Sequence, residues 1–298
     1  MDYPETLAWI HSTERFGSRL GLDRMRRLLH RLGDPQEKVP FLHVAGTNGK
    51  GSTTTMIASA LTAGGFRTVR FISPYILEFR ERMEIDGEMI PRERLAALAT
   101  RLRPIAEEFK AAGNPPTEFE LVTALGLTWF AEEGCDIAVL EVGLGGRLDA
   151  TNVIPAPLVA VITRIDYDHT AILGDTLAAI AGEKCGIIKP GSTVVCYPDQ
   201  SPEALEVIRR RAAEEGDPLR LPDRGQLAVL ASDLTGSRIR YRGQEVFLPL
   251  AGPHQILNAA TAMEALNALS GSRFALPPAA VAAGIAAARA AAEHCRGR

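Results

Sequence analysis

The chain has 298 residues, room for one large α/β domain or for one domain plus a small one. Hydrophobic residues make up 46%, ample for a core, and no apolar run is long enough to span a membrane. A net charge of −3 argues against a nucleic-acid partner, which needs a basic face.

Residues 2–32 read as two helices around Phe16-Gly17-Ser18-Arg19-Leu20-Gly21-Leu22. In the second, Leu22, Met25, Leu28, Leu29 and Leu32 recur at helical spacing with arginines between them. Val39 to Ser52 then reads as a short buried strand, a glycine-rich turn and a helix beginning near Thr53. Glycines let a backbone approach a ligand closely, and turn N–H groups with a helix N-terminus suit phosphate. Lys50 adds a mobile positive charge and Ser52 a hydroxyl for Mg²⁺. The spacing is not that of the common G-x-x-x-x-G-K-[ST] loop. Its first glycine falls at Val44, and the hydroxyl comes two residues after the lysine.

The helix after the loop closes at Gly64-Gly65, and Arg67–Ile72 is a strand ending at Ser73-Pro74. In a parallel sheet Ser73 falls near the phosphates; a turn-capping serine is the ordinary alternative. Met83–Ile90 reads as a hairpin turning at Asp86-Gly87, followed by a helix from about Arg92 to Ala112. Thr117 opens a long helix through Phe130, and Thr117 with Glu120 fits a capping box. Cys135–Leu140 is a buried strand ending at Glu141. An acid at such a strand end, opposite a phosphate loop, commonly holds Mg²⁺; a salt-bridged strand end is the alternative. Leu158–Thr163 and Val194–Tyr197 are further strands, and 202–215 is an amphipathic helix. Residues 226–250 alternate in short runs, which predicts an antiparallel sheet turning at Gly236 and Gly243. Residues 278 to about 293 are alanine-rich and helical. The four cysteines show neither metal nor disulfide spacing, and the acidic start lacks an apolar signal core. A cytoplasmic protein is expected.

His43-Val44-Ala45-Gly46-Thr47-Asn48-Gly49-Lys50-Gly51-Ser52 resembles the phosphate loop of the Mur ligase superfamily, and within it the folylpolyglutamate synthase/dihydrofolate synthase family. The stretch from Glu141 to Asn152 is similar to a signature of that family. Ser73-Pro74-Tyr75-Ile76 resembles its Ser-Pro-His-Leu, with Tyr75 replacing the histidine. Asp168-His169, Leu173-Gly174 and Glu183-Lys184-Cys185-Gly186-Ile187 resemble its Asp-His…Leu-Gly…Glu-Lys-Ala-Gly-Ile run. Asp166-Tyr167 stands where Gly-Leu or Ala-Leu is common, an extra carboxylate beside the expected metal. Gly252-Pro253-His254-Gln255-Ile256-Leu257-Asn258-Ala259 resembles its Gly-x-His-Gln-x-x-Asn-Ala.

The resemblance implies one Mur ligase central-domain-like ATP-binding domain over 1–298, with 278–298 as terminal helix and tail. Its fold is α/β: a mostly parallel sheet carrying the phosphate loop, flanked by helices, with the small antiparallel region at 226–250 beside it. ATP is expected at Thr47, Asn48, Gly49, Lys50, Gly51 and Ser52, with Asn258 against the adenine, where its amide offers both donor and acceptor. Two Mg²⁺ ions are expected on Ser52, Ser73, Glu141, His169 and a carbamylated Lys184; a plain salt bridge from Lys184 to Glu141 or Glu183 is the alternative. A pterin-bearing substrate is expected at Arg19, Leu20, Phe119, Glu120, Leu148, Asp149 and Ala150.

The implied activity is ATP-dependent joining of L-glutamate to dihydropteroate or a folate through an acyl phosphate. Lys50, Glu141, His169 and Lys184 carry the catalysis. The alternatives are a nucleotide- or folate-binding module without ligase activity and a cell-wall-building Mur ligase. Neither nucleic acid nor membrane is an expected partner. Family members carry a further C-terminal domain, for which this sequence has no counterpart. A truncated form is therefore expected, binding nucleotide weakly and forming product at no useful rate. A complete form would be a monomer, and this one would expose an apolar face open to self-association.

Overall fold

Phe41–Ala45 is buried along its whole length, and this strand, β1, lies inside the main sheet with a parallel neighbour on each side. The computed structural model describes residues 1–13 and 21–288. The other strands of the sheet are β2 (Thr68–Phe71), β3 (Met83–Ile85), β4 (Glu88–Met89), β5 (Ile137–Glu141), β6 (Val159–Ile162), β7 (Thr193–Cys196) and β8 (Leu219–Arg220). They pair in the order β4-β3-β2-β5-β1-β6-β7-β8. From β2 to β8 all pairs are parallel, while β3 and β4 add an antiparallel edge. The expected hairpin is therefore an extension of the main sheet, with Val69 facing Ile85 across the seam.

The strands are apolar on both faces because helices cover both. On one face α3 (Lys50–Ala63), α9 (Pro253–Ala268) and α10 (Pro278–Ala287) pack on Leu42, Val44, Val139, Val159 and Val161. The small sheet of β9 (Leu227–Asp233), β10 (Gly236–Tyr241) and β11 (Gln244–Leu248) joins that layer through Ile239, Val246 and Leu248. On the other face α1 (Tyr3–His11), α2 (Asp23–Arg31), α4 (Arg92–Ala111) and α5 (Glu118–Glu132) share a core with Phe41, Phe71 and Leu140. The rest of that face is covered by α7 (Leu177–Lys184) and α8 (Pro202–Glu215), packed on Ala160, Ile162 and Val194. A short helix, α6 (Thr170–Leu173), precedes α7.

Local signals account for most boundaries. Thr117 and Glu120 close the predicted capping box of α5. Ser201 caps α8, and Gly216 ends it in the left-handed conformation. Helix α3 starts at Lys50, earlier than the expected start near Thr53. Gly49 adopts φ 85°, which turns the chain directly from loop into helix. The main-sheet strand β8 and the helices α6 and α7 are additions to the predicted elements. The alanine-rich helix runs from Pro278 to Ala287 and ends at Ala288, which is extended, short of the expected 293; residues 289–293 lie outside the described residues. Among the described residues no helix is long and apolar enough to cross a membrane. Cys135, Cys185 and Cys196 are buried free thiols.

Gly284 marks the tightest helix contact. A Cβ there would lie 2.2 Å from the Cα of Ala60, so α10 rests directly on the backbone of α3. Glycine to alanine inside a helix ordinarily stabilises by up to about 1 kcal/mol. Here the overlap reverses the sign: Gly284→Ala is expected to destabilise by about 1–3 kcal/mol, the usual cost of overpacking. Urea unfolding of the two proteins measures it, and an unchanged or raised midpoint would refute the direct contact.

Candidate functional site

Parallel pairing brings the carboxyl ends of β2, β5, β1 and β6 out on one side of the sheet. Successive connections from β1 leave toward both edges, so the crevice beside it is a topological switch point, where α/β sheets take their ligands. The loop Gly46–Gly49 rises here. Its position is set by backbone bonds from the segment after β6. Thr47 N and Asn48 N both donate to Arg164 O, at 2.8 and 3.1 Å. Thr47 Oγ1 donates to Asp166 O at 3.0 Å and accepts from Asp166 N at 3.1 Å. No side chain caps α3, so its first N–H groups remain for an anion.

Two cavities flank the loop. One, of about 260 Å³, is bounded by Gly51, Ser52, Ser73, Glu141 and Leu250. The other, of about 380 Å³, lies between Asn48 and Gly49, the segment Arg164–Asp166, Tyr197 and the start of α9. Asn258 reaches it from α9. A Cβ on Gly49 would meet its Oδ1 at 2.4 Å, so glycine is what lets this amide sit against the loop. Asn258 Nδ2 donates to Gln255 Oε1 at 3.1 Å, which orients the amide.

Two ammonium groups meet on one carbonyl. Lys50 Nζ donates to Gly46 O at 3.1 Å and Lys184 Nζ donates to the same oxygen at 2.8 Å. Lys184 is buried, and burial lowers its pKa to about 8, with Lys50 pushing the same way. Lys184 bonds a carbonyl, not the carboxylate of Glu141 or Glu183 that a salt bridge required. Glu183 instead pairs with Arg147 at 2.9 Å. Burial raises Glu141 to about 7, against the pull of Lys50 and of a hydrogen bond from the Ser73 backbone. Lys50, Lys184, Ser52, Ser73 and Glu141 are therefore neighbours.

The remaining expected residues divide. His169 stands on an exposed turn at φ 48°, 3.6 Å from the Asp168 carboxylate. Among the described residues no three His, Cys, Asp or Glu side chains gather as a metal cluster. Any ion here would depend on hydroxyls, one carboxylate and its own ligands. Glu120 accepts from Thr117 N at 2.8 Å and from Arg24 Nε at 2.6 Å, so capping and a buried ion pair both engage it. Phe119 lies under the loop after β5, where a Cβ on Gly143 would strike its ring. Leu148 is half-buried and Ala150 buried beside Asp149. Arg19 and Leu20 lie outside the described residues.

Asp149 turns inward, and its neighbours include a residue that the motif analysis quoted without a role. It accepts from Leu144 N at 2.8 Å, from Thr151 N at 2.9 Å and from the Thr151 hydroxyl at 2.5 Å. The Thr151 hydroxyl also lies 2.8 Å from His43 Nε2, and burial raises the Asp149 carboxyl above its ordinary range. His43 is wholly buried, and its Nδ1 has no hydrogen-bond partner among the described residues. Arg164 and Tyr197 were likewise missed as cavity residues, although their places just past β6 and β7 mark them by the strand-end rule.

Burial holds His43 down to about 3, with Lys189 adding to the shift. The folded pKa lies below the unfolded value near 6.5. The unfolded chain therefore binds the extra proton first, and stability present above pH 6.5 is lost as pH falls toward 3. His43→Gln is expected to flatten this part of the curve of urea midpoint against pH. An unchanged slope between pH 6.5 and 4 would show that His43 takes no part in acid unfolding.

Residues 44–266 match the family described as Mur ligase middle domain. A dihydrofolate synthase/folylpolyglutamate synthase from Bacillus subtilis is 41% identical over 276 residues, covering 90% of this chain and 64% of that protein. The chain spans less than two thirds of the length of the curated relatives it matches. A solved folylpolyglutamate synthase complex with AMPPCP and folate superposes with a TM-score of 0.88 at 36% identity, over 97% of this chain and 72% of that one. A folylpolyglutamate synthase from Mycobacterium tuberculosis bound to ADP gives 0.85 at 34%, over 97% and 67%. With residues 44–266 matching the family and a folylpolyglutamate synthase superposing over 97% of the chain at 36% identity, the chain belongs to the Mur ligase family, in its folylpolyglutamate synthase/dihydrofolate synthase branch.

Proposed function

We propose that the chain is the nucleotide-binding part of an ATP-dependent ligase that joins L-glutamate to dihydropteroate or a folate. One observation carries the reading. Lys50 and Lys184 converge on Gly46 O at the mouth of a glycine-rich loop, beside the buried Glu141. Two cations held that close repel each other, and an anion between them relieves the repulsion. The tri-phosphate of ATP is an anion of suitable charge, and it also meets the open N–H groups of α3.

In this reading the substrate carboxylate attacks the γ-phosphorus, the bond to the departing ADP breaks and an acyl phosphate forms. The glutamate amine then attacks the acyl carbon and loses a proton. Phosphate leaves with the electron pair of the C–O bond, and an amide remains. No covalent bond to the protein forms, so its side chains act by alignment and charge. Lys50 and the loop amides hold the phosphates. Asn258 lies against the base, and Phe119 with the 148–150 segment faces the pterin-bearing substrate. The donor set around the smaller cavity fits Mg²⁺: Ser52, Ser73 and Glu141 offer hard oxygens, with coordination places left for water and phosphate. His169 would complete the set from its exposed turn. When bound, Mg²⁺ offsets the repulsion between phosphate and carboxylate. Lys184, with its lowered pKa, is also able to lose its proton and add CO₂; in that form it would be an anionic carbamate that holds Mg²⁺, and Lys50 alone would meet the phosphates.

Calorimetry tests this reading. ATP with Mg²⁺ and dihydropteroate are each expected to bind, and a UDP-sugar-peptide is not. Lys50→Ala is expected to weaken ATP at least about tenfold, since a charged contact to phosphate commonly contributes 1.4 kcal/mol or more. Binding of the UDP-sugar-peptide in place of dihydropteroate would move the chain to the cell-wall branch. Undiminished ATP affinity in Lys50→Ala would remove the loop from the mechanism.

A further inference from the structure

We propose that Asp166 reads the sugar of the nucleotide, its carboxylate accepting hydrogen bonds from the ribose hydroxyls so that the site prefers ribonucleotides to 2′-deoxyribonucleotides. This inference rests on the nucleotide-binding reading above and adds a selectivity to it. Among the described residues Asp166 is the single acid on the wall of the 380 Å³ cavity. It is also the acid that distinguishes Asp166-Tyr167 from the Gly-Leu or Ala-Leu pair of the resembling motif.

Its place is fixed by backbone, not by its side chain. Both the N–H and the carbonyl of Asp166 bond Thr47 Oγ1, in the middle of the phosphate loop. The carboxylate therefore keeps a set relation to whatever the loop holds. Of its acceptor capacity, Oδ1 takes the Tyr167 N–H at 2.9 Å. Arg164 Nε forms an ion pair with Oδ2 at 3.7 Å, too long for a hydrogen bond, so Oδ2 keeps its lone-pair sites. A carboxylate has about four lone-pair sites, so most of its capacity remains for a ligand.

The chemistry of a nucleotide narrows that ligand's contacting part. Phosphate oxygens only accept, and their charge repels a carboxylate. The part of the nucleotide joined to its phosphates is the ribose, whose two adjacent hydroxyls are donors. Carboxylate recognition of a ribose 2′-hydroxyl is a known device of dinucleotide-binding sheets, where the acid follows the strand next to the loop helix. Asp166 instead follows β6, the strand paired with β1 on the other side of the loop.

The test is competitive binding of ATP, 2′-deoxyATP and ITP to the full chain with Mg²⁺, in wild type and in Asp166→Ala. Wild type is expected to favour ATP over 2′-deoxyATP about tenfold, the effect of one hydrogen bond to a charged acceptor. Asp166→Ala retains the backbone bonds to Thr47, and its ratio is expected to fall within about twofold of unity. Asp166→Asn, which keeps an acceptor, is expected to retain part of the preference. Equal wild-type affinity for the two sugars would overturn the assignment, as would a ratio unchanged in Asp166→Ala. Loss of discrimination against ITP alone would transfer the contact to the base amine and overturn it too. If neither nucleotide binds, the nucleotide-binding reading fails first and this inference falls with it.

Discussion

The Gly46 carbonyl is the point on which the site turns. Lys50 approaches it from the first turn of α3 and Lys184 from the last turn of α7, so one oxygen links the two faces of the sheet. Both lysines are partly or wholly removed from water, and their repulsion is stronger there than at a surface. The fold sustains it because the loop is held on its far side by two backbone bonds to Arg164 O and by the Thr47 hydroxyl on the Asp166 backbone. An arrangement of this kind is organised for charge before any arrives, which is the condition for electrostatic stabilisation without reorganisation.

Around that point the sheet carries polar groups that a simple core would exclude. Arg70 and Glu84 pair between β2 and β3, and Arg70 Nη1 also donates to Thr55 on α3. His43, Thr151 and Asp149 form a second buried chain under the loop after β5. Each lies directly beneath a segment that lines the site. The groups are bonded to one another, apart from His43 Nδ1. Such networks fix one geometry more firmly than apolar packing does, because every alternative leaves a buried group without its partner.

Much of this was legible in the residues. The strand–loop–lysine–hydroxyl order located the loop, and the apolar run ending in Glu141 located the opposing acid, because both are local patterns with a mechanical reason. Burial in parallel strands wrote itself as near-continuous apolar runs, so β1, β5 and β6 were plain. What was not legible depends on distance in sequence. Glu120 looked like a cap because Thr117 is its neighbour. Its other partner, Arg24, is brought in by the packing of α2 on α5. Lys184 offered two nearby acids on paper, yet folding gives it a carbonyl from the loop. The two-residue strand β8 has too few side chains to show a period, and its pairing with β7 supplies the signal that the sequence lacks.

The position of β1 within the sheet also sets a timetable for the growing chain. Its two neighbours, β5 and β6, begin at Ile137 and Val159, far downstream of Ala45. Ribosomes add about 5–20 residues per second, so the gap takes several seconds to synthesise. During that interval the apolar strand Phe41–Ala45 has an unpaired edge on each side and no sheet to enter. The nascent chain therefore carries an apolar strand early and buries it late. Keeping that segment soluble falls to α3, which forms from local contacts and can shield one face of β1, and to whatever chaperone attends the ribosome exit.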